Sequence, residues 1–247
     1  GVGTRPGERI RGGAFGVGLS RNILDAYRYL VREYEEGDEL FLFGFSRGAY
    51  TARSLAGLIR NCGVLQPEHV DGVERAYQLY RRRDDASHPT EREATLFRRT
   101  YPYGADPPFI TCLGGWDTVG ALGIPIGRLG GVSRQALGLQ FHDVELSRFV
   151  RNAFHAVAID ERRGPFEPSL WEQPAGKDKG GQRVEQVWFA GVHANIGGGY
   201  ADAGLSDVAF QWIVERAAEC GLALDLPYIA EEVQANLLGE LRDSRTG

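Results

Sequence analysis

Three residues of this chain have the types and settings that nucleophilic chemistry requires. Ser46 lies in Phe41-Leu42-Phe43-Gly44-Phe45-Ser46-Arg47-Gly48, Asp117 follows Gly114-Gly115-Trp116, and His193 follows Gly191-Val192. A serine hydroxyl is a weak nucleophile near neutral pH, so it needs an adjacent base, and that base needs a group to orient it. Ser46 would attack an acyl carbonyl. His193 would take its proton and return it to the leaving alcohol, while Asp117 holds the imidazole tautomer and stabilises the imidazolium. The backbone N–H of Arg47 would donate to the developing oxyanion.

Each signal has a plainer reading when taken alone. Gly-x-Ser-x-Gly recurs by chance, an aspartate beside glycines often caps a loop, and a histidine at a strand end is often a satisfied structural residue. The setting of Ser46 sharpens its signal: an apolar run leads into it and a helix-compatible segment follows, which is the strand–turn–helix that exposes a nucleophile. Gly44 and Gly48 would remove side chains that collide with neighbouring elements or with substrate. Asp202 is the reserve candidate for the acid, and Asp143 and Asp160 are the other nearby carboxylates. His69, His88, His142 and His155 compete poorly, because they fall in charged, loop or helix-patterned surroundings.

The elements that must position these groups are legible as strands alternating with helices. Leu19 to Tyr34 repeats apolar residues at helical spacing and stops at Gly37, after a glycine-rich, irregular stretch over 1–18. Glu39 to Phe43 reads as a strand apolar on both faces, as a central parallel strand is, and a helix runs from Ser46 to near Gly63. Residues 67–101 are helical again, and the span 67–108 is a helical insertion that is either a lid or a plain surface excursion. Phe109 to Leu113 is a second strand, Val144 to Val157 a helix, and Val184 to Ala190 a third strand. Glycine-rich 123–138 and Pro/Gly/Lys-rich 164–182 read as connections. A last strong helix begins near Ser206 as cap and ends at Gly221, and a further short helix follows Pro227. The pattern predicts one α/β domain over 1–247, a mostly parallel sheet with helices on both faces. Ligand crevices in such sheets lie beyond the carboxyl ends of the strands, where all three candidates stand.

Composition narrows the classes further. The chain has 247 residues, a length that fits one large α/β domain or two small ones, and its 43% apolar and 25% charged content is that of an ordinary globular protein. A net charge of −5 offers no general attraction to nucleic acid. No apolar run approaches the length of a membrane span, and no signal peptide is visible. Cys62, Cys112 and Cys220 are far apart and unpaired in spacing, so they read as small core residues, not as a disulfide or zinc framework. No metal or cofactor motif stands: Gly16-Val17-Gly18 lacks a third glycine, and no histidine pair has zinc spacing. The basic runs Arg81-Arg82-Arg83 and Arg98-Arg99 could face anionic lipid, but Asp84 and Asp85 follow the first, which favours a solvated helix face. The chain contains no methionine and opens on Gly1-Val2-Gly3-Thr4, which reads as the end of a strand, so a fragment is expected.

Gly-Phe-Ser-Arg-Gly-Ala-Tyr-Thr-Ala-Arg (44–53), Trp-Asp-Thr-Val-Gly (116–120), Ala-Ile-Asp-Glu-Arg-Arg (158–163), His-Ala-Asn-Ile-Gly-Gly-Gly-Tyr (193–200) and Gly-Leu-Ser-Asp (204–207) together resemble the DUF2235 family. This is the catalytic domain of Tle1-like phospholipase effectors of bacterial type VI secretion, and the likeness runs over about residues 1–215. The resemblance implies an α/β-hydrolase fold and a Ser–Asp–His triad falling on Ser46, Asp117 and His193. It also implies hydrolysis of acyl esters in glycerophospholipids without a cofactor, transient contact with a membrane surface, delivery into a rival cell by the secretion apparatus, and restraint by an immunity protein. The absent signal peptide suits either injection or a resident cytoplasmic enzyme. Family members begin with a strand ending in Asp-Gly-Thr, which nothing here matches, so the N-terminal strand and a second oxyanion donor are expected to be missing. Two further readings remain open: a general small-molecule carboxylesterase, and a non-catalytic interaction module on the same fold.

Overall fold

The computed structural model describes residues 14–82, 88–104, 106–120, 146–171 and 181–245. Helix α1 (Ala14–Glu33) buries Leu19, Ile23, Tyr27 and Val31, a spacing that keeps one stripe against the core. Strand β1 (Leu40–Phe45) runs into α2 (Arg47–Cys62) with Ser46 alone between them. A 3-10 stretch (Pro67–Gly72) leads to α3 (Val73–Arg81) and α4 (Arg92–Thr100). Strands β2 (Ile110–Trp116), β3 (Val150–Ala158) and β4 (Arg183–Phe189) follow, then α5 (His193–Gly197), α6 (Gly204–Glu219) and α7 (Leu226–Glu232).

All three pairings in the β1-β2-β3-β4 sheet are parallel, so every carboxyl end lies on one rim. Neighbouring residues point to opposite faces and feed two cores. Leu113 and Ala153 pack with α1, α2 and α3, whereas Cys112, Phe154 and Ala156 pack with Ile213 and Ala217 of α6. Helices therefore cover both faces, as the alternation of elements predicted.

The largest departure from the sequence reading is β3. Val144 to Val157 reads as a helix, but residues 150–158 form a strand, and residues 121–145 lie outside the described residues. Six consecutive residues, Ala153 to Ala158, are buried, so the segment shows no two-residue alternation, and its apolar spacing mimics a helix. His155 thus sits on a central strand. β1, read as central, is first in the sheet order among the described residues, with Phe43 38% exposed. Smaller corrections concern α1, which already begins at Ala14, and α6, whose first turn follows Ala203. Ser206 lies inside α6, its hydroxyl donating to the Ala203 carbonyl. Cys62 and Cys112 are core residues as read, while Cys220 is half-buried.

The helices of the 67–108 span pack along the C-terminal half of α2. The Arg98 guanidinium donates to the Asn61 carbonyl, and the Tyr80 ring lies against Gly57. Gly57 is ten residues into the helix from Arg47, about 15 Å along its axis. Both of these contacts lie in the half of α2 away from Ser46.

A Cβ on Gly44 would sit 2.4 Å from the Gly48 carbonyl carbon, whereas one on Gly48 would meet no protein atom within 4 Å. The strand-to-helix turn therefore demands glycine at 44 for protein packing, but not at 48. Gly44→Ala is expected to lower stability by about 1–3 kcal/mol or more through overpacking against backbone. Urea unfolding should show a lower midpoint at unchanged slope.

Candidate functional site

The rim is assembled by backbone bonds that tie each strand exit to the next. The Ser46 N–H donates to the Trp116 carbonyl at 2.9 Å, and the Asp117 N–H donates to the Ala156 carbonyl at 2.7 Å. Ser46 has φ 58° and ψ −122°, a left-handed conformation that non-glycine residues rarely hold. Such a backbone costs about 1–3 kcal/mol and persists only where surrounding structure enforces it. Asp117 also has positive φ, at 39°.

These turns bring the three candidates together. His193 Nε2 lies 2.9 Å from Ser46 Oγ, and His193 Nδ1 lies 2.6 Å from Asp117 Oδ2. An ionised carboxylate has no proton to give, so Nδ1 donates to Asp117 and Nε2 is left to accept the serine proton. The other carboxylate oxygen, Oδ1, accepts the Ala158 N–H at 3.0 Å. Asp117 is fully buried and His193 is 6% exposed, while Ser46 is half-buried. The reserve acid Asp202 is engaged elsewhere, its Oδ1 accepting the Gly204 N–H at 2.9 Å. Asp160 accepts the Gly191 N–H and so fastens the turn before His193. Asp143 and His142 lie outside the described residues. Arg47 opens α2, which puts its N–H in the first turn after the nucleophile candidate.

The His193 ring packs against two aromatic rings. The Phe45 ring centroid is 4.6 Å away and the Phe166 centroid 4.7 Å. No histidine, cysteine, aspartate and glutamate cluster suited to a metal ion occurs among the described residues.

The residues match the family described as T6SS, phospholipase effector Tle1-like, catalytic domain, over positions 1–216. The chain belongs to this family. An uncharacterized protein of Saccharomyces cerevisiae, YEL023C, is 34% identical over 158 residues, 62% of this chain and 21% of that protein. Among solved structures, an uncharacterized protein from Pseudomonas aeruginosa aligns at TM-score 0.44 and 21% identity, over 94% of this chain and 32% of the other. A Tle1 effector bound to the VgrG spike of the type 6 secretion system aligns at TM-score 0.37 and 22% identity, over 78% and 31%. The chain thus spans about a fifth of the yeast relative and about a third of each of these two structures.

Two groups near the rim have roles that the residue-by-residue reading did not assign, His155 having been set aside there as part of a helix. The first is His155, whose Nε2 accepts the Thr118 N–H at 3.0 Å, immediately after Asp117. Its Nδ1 faces Gln186 Oε1 at 3.3 Å, and Gln186 is paired through both amide atoms with the Trp171 backbone. Burial, with the Arg53 charge as a second cause, pushes His155 down to about 3. A signal was available in its flanks, since Phe154, Ala156 and Val157 make it a polar residue in an apolar run. The second is Glu161, whose Oε2 accepts the His193 N–H at 3.2 Å. In the sequence Glu161 stands in Ala-Ile-Asp-Glu-Arg-Arg (158–163), one of the segments that carry the family resemblance, but that segment suggested no role for it.

No helix among the described residues is long and apolar enough to cross a membrane.

The neutral His155 sets a pH dependence. Its folded value lies below the unfolded value of about 6.5, so the unfolded chain binds the proton first. Its stabilising share is full above that unfolded value and declines as pH falls toward 3. His155→Gln, which keeps an acceptor and does not titrate, should show a flatter loss of stability over that window in urea titrations at a series of pH values.

Proposed function

We propose that this chain is a serine hydrolase of carboxylic esters, with acyl esters of glycerophospholipids as its substrates in a phospholipase A-type reaction. The observation that carries the reading is the continuous relay from Ser46 Oγ through His193 to Asp117, with links of 2.9 and 2.6 Å. Membership in a family described by its phospholipase effectors supports the lipid substrate.

The steps follow from the donor and acceptor roles. Ser46 Oγ attacks the ester carbonyl while His193 Nε2 takes its proton, and the imidazolium so formed is stabilised by Asp117 across the Nδ1–H bond. The tetrahedral oxyanion faces the Arg47 N–H at the start of α2, where the helix dipole adds favourable potential. Collapse expels the alcohol, protonated by His193. Water then repeats the sequence on the acyl-enzyme to release a fatty acid and restore Ser46.

The family description also names the type VI secretion system, so we place the substrate membrane in a recipient cell and the secretion apparatus among the partners.

A fluorophosphonate probe should label the unmodified protein, fail on Ser46→Ala, and label His193→Ala far more slowly. Ester turnover should fall by on the order of 10⁴–10⁶ in kcat for Ser46→Ala and about 10⁴ for Asp117→Asn. Fatty-acid release from phosphatidylcholine vesicles is the substrate test. Turnover of a short soluble ester with no release from any phospholipid would overturn the lipid assignment, and absence of labelling would overturn the hydrolase.

A further inference from the structure

Beyond the triad, one carboxylate engages the backbone of the histidine itself. Glu161 leaves the end of β3, where the chain stays paired with the exit of β4: Ile159 N–H donates to the Phe189 carbonyl and Asp160 N–H to the Gly191 carbonyl. Glu161 Oε2 then accepts the His193 N–H at 3.2 Å. That N–H opens α5 and has no acceptor within the helix.

The Glu161 side chain is only 2% exposed and its oxygens are densely satisfied. Oε1 accepts from the Arg163 N–H at 2.7 Å, Arg163 Nε at 3.0 Å and Ser244 Oγ at 2.8 Å, and Oε2 accepts from Arg163 Nη2 at 2.9 Å. The guanidinium fork thus grips both oxygens, the arrangement that best fixes a carboxylate in direction. Burial opposes the charge, but the bonds from Arg163, Ser244 and His193 outweigh it and hold the carboxyl at about 2.

The same arginine reaches the imidazole by a second route. Its guanidinium carbon lies 3.8 Å from the Phe166 ring centroid, and Phe166 packs edge-on against the His193 ring at 4.7 Å. The Phe45 ring also packs on the imidazole, its centroid 4.6 Å away. One group therefore touches the histidine main chain directly and its ring by way of Arg163 and Phe166.

We propose that Glu161 is a positioning residue for His193: its buried carboxylate anchors the histidine's backbone and, through Arg163 and Phe166, fixes the imidazole on the line between Asp117 and Ser46. This deepens the hydrolase reading and rests on it for its consequence in rate, but the geometric claim is measurable apart from any substrate.

The test compares the unmodified chain with Glu161→Gln, which keeps shape but loses the charge that receives the arginine fork. One readout is the low-field proton resonance of His193 Nδ1–H, assigned by its loss in His193→Ala. In Glu161→Gln it should broaden or shift upfield as the ring gains freedom, while the far-ultraviolet spectrum is unchanged. The other readout is the second-order rate of fluorophosphonate labelling, expected to fall about ten- to a hundredfold, with kcat for a short ester falling likewise and KM holding. If Glu161→Gln does not fold, Arg163→Lys is read in the same way, because it keeps the charge but loses the fork and the flat stack on Phe166. An unchanged proton resonance and an unchanged labelling rate would overturn the inference and leave the hydrolase standing. If the unmodified protein resists labelling, the hydrolase reading fails instead, and the proton resonance alone decides whether Glu161 positions the ring.

Discussion

A carboxylate removed from water is tolerable only where donors replace its hydration. Asp117, fully buried at the end of β2, meets that demand with the Ala158 N–H on one oxygen and His193 Nδ1–H on the other. Those two bonds join β2, the exit of β3 and the start of α5. Displacing the imidazole would strand a buried charge, which typically costs about 3–5 kcal/mol. The same requirement that stabilises the carboxylate thus dictates where the histidine stands and which of its nitrogens is left for Ser46.

The sheet makes this economical. Because all strands run in parallel in the order β1-β2-β3-β4, their exits share a rim, and each exit bonds sideways to its neighbour. The Ser46 N–H to Trp116 and the Asp117 N–H to Ala156 continue the ladder past the strands proper and enforce two left-handed residues. His155 extends the scheme below the rim. Neutral and wholly buried, it receives the Thr118 N–H and so braces the turn that holds Asp117. Strain at Ser46 is therefore carried by backbone geometry, and charge at Asp117 by one backbone donor and the His193 ring.

Fold class and the candidate relay were legible before the structure because each left a local mark. Ser46, Asp117 and His193 stand beyond apolar runs and beside glycines, in places where loop composition departs from its surroundings. The β3 strand left no such mark. Buried on both faces from Ala153 to Ala158, the strand lost the alternation that betrays one, and the apolar residues before it completed a helical rhythm. His155 was misplaced with it, since a histidine's surroundings depend on its element. Asp202 ranked behind Asp117 in the sequence, and the distances agree with that order, for Asp202 bonds to Gly204 and Asp117 to His193.

The sequence by itself determined the chemistry on offer, the chain order of its bearers, and the alternation that makes a parallel sheet; these are properties of residue type and short-range spacing. Tertiary structure decided the distances at which Asp117 and Ser46 meet the imidazole and which donors satisfy the buried carboxylate. It alone brought Glu161, Arg163 and Phe166 around a histidine about thirty positions away. The reason is physical: hydrogen bonds and burial act over a few ångströms in space, whatever the separation along the chain.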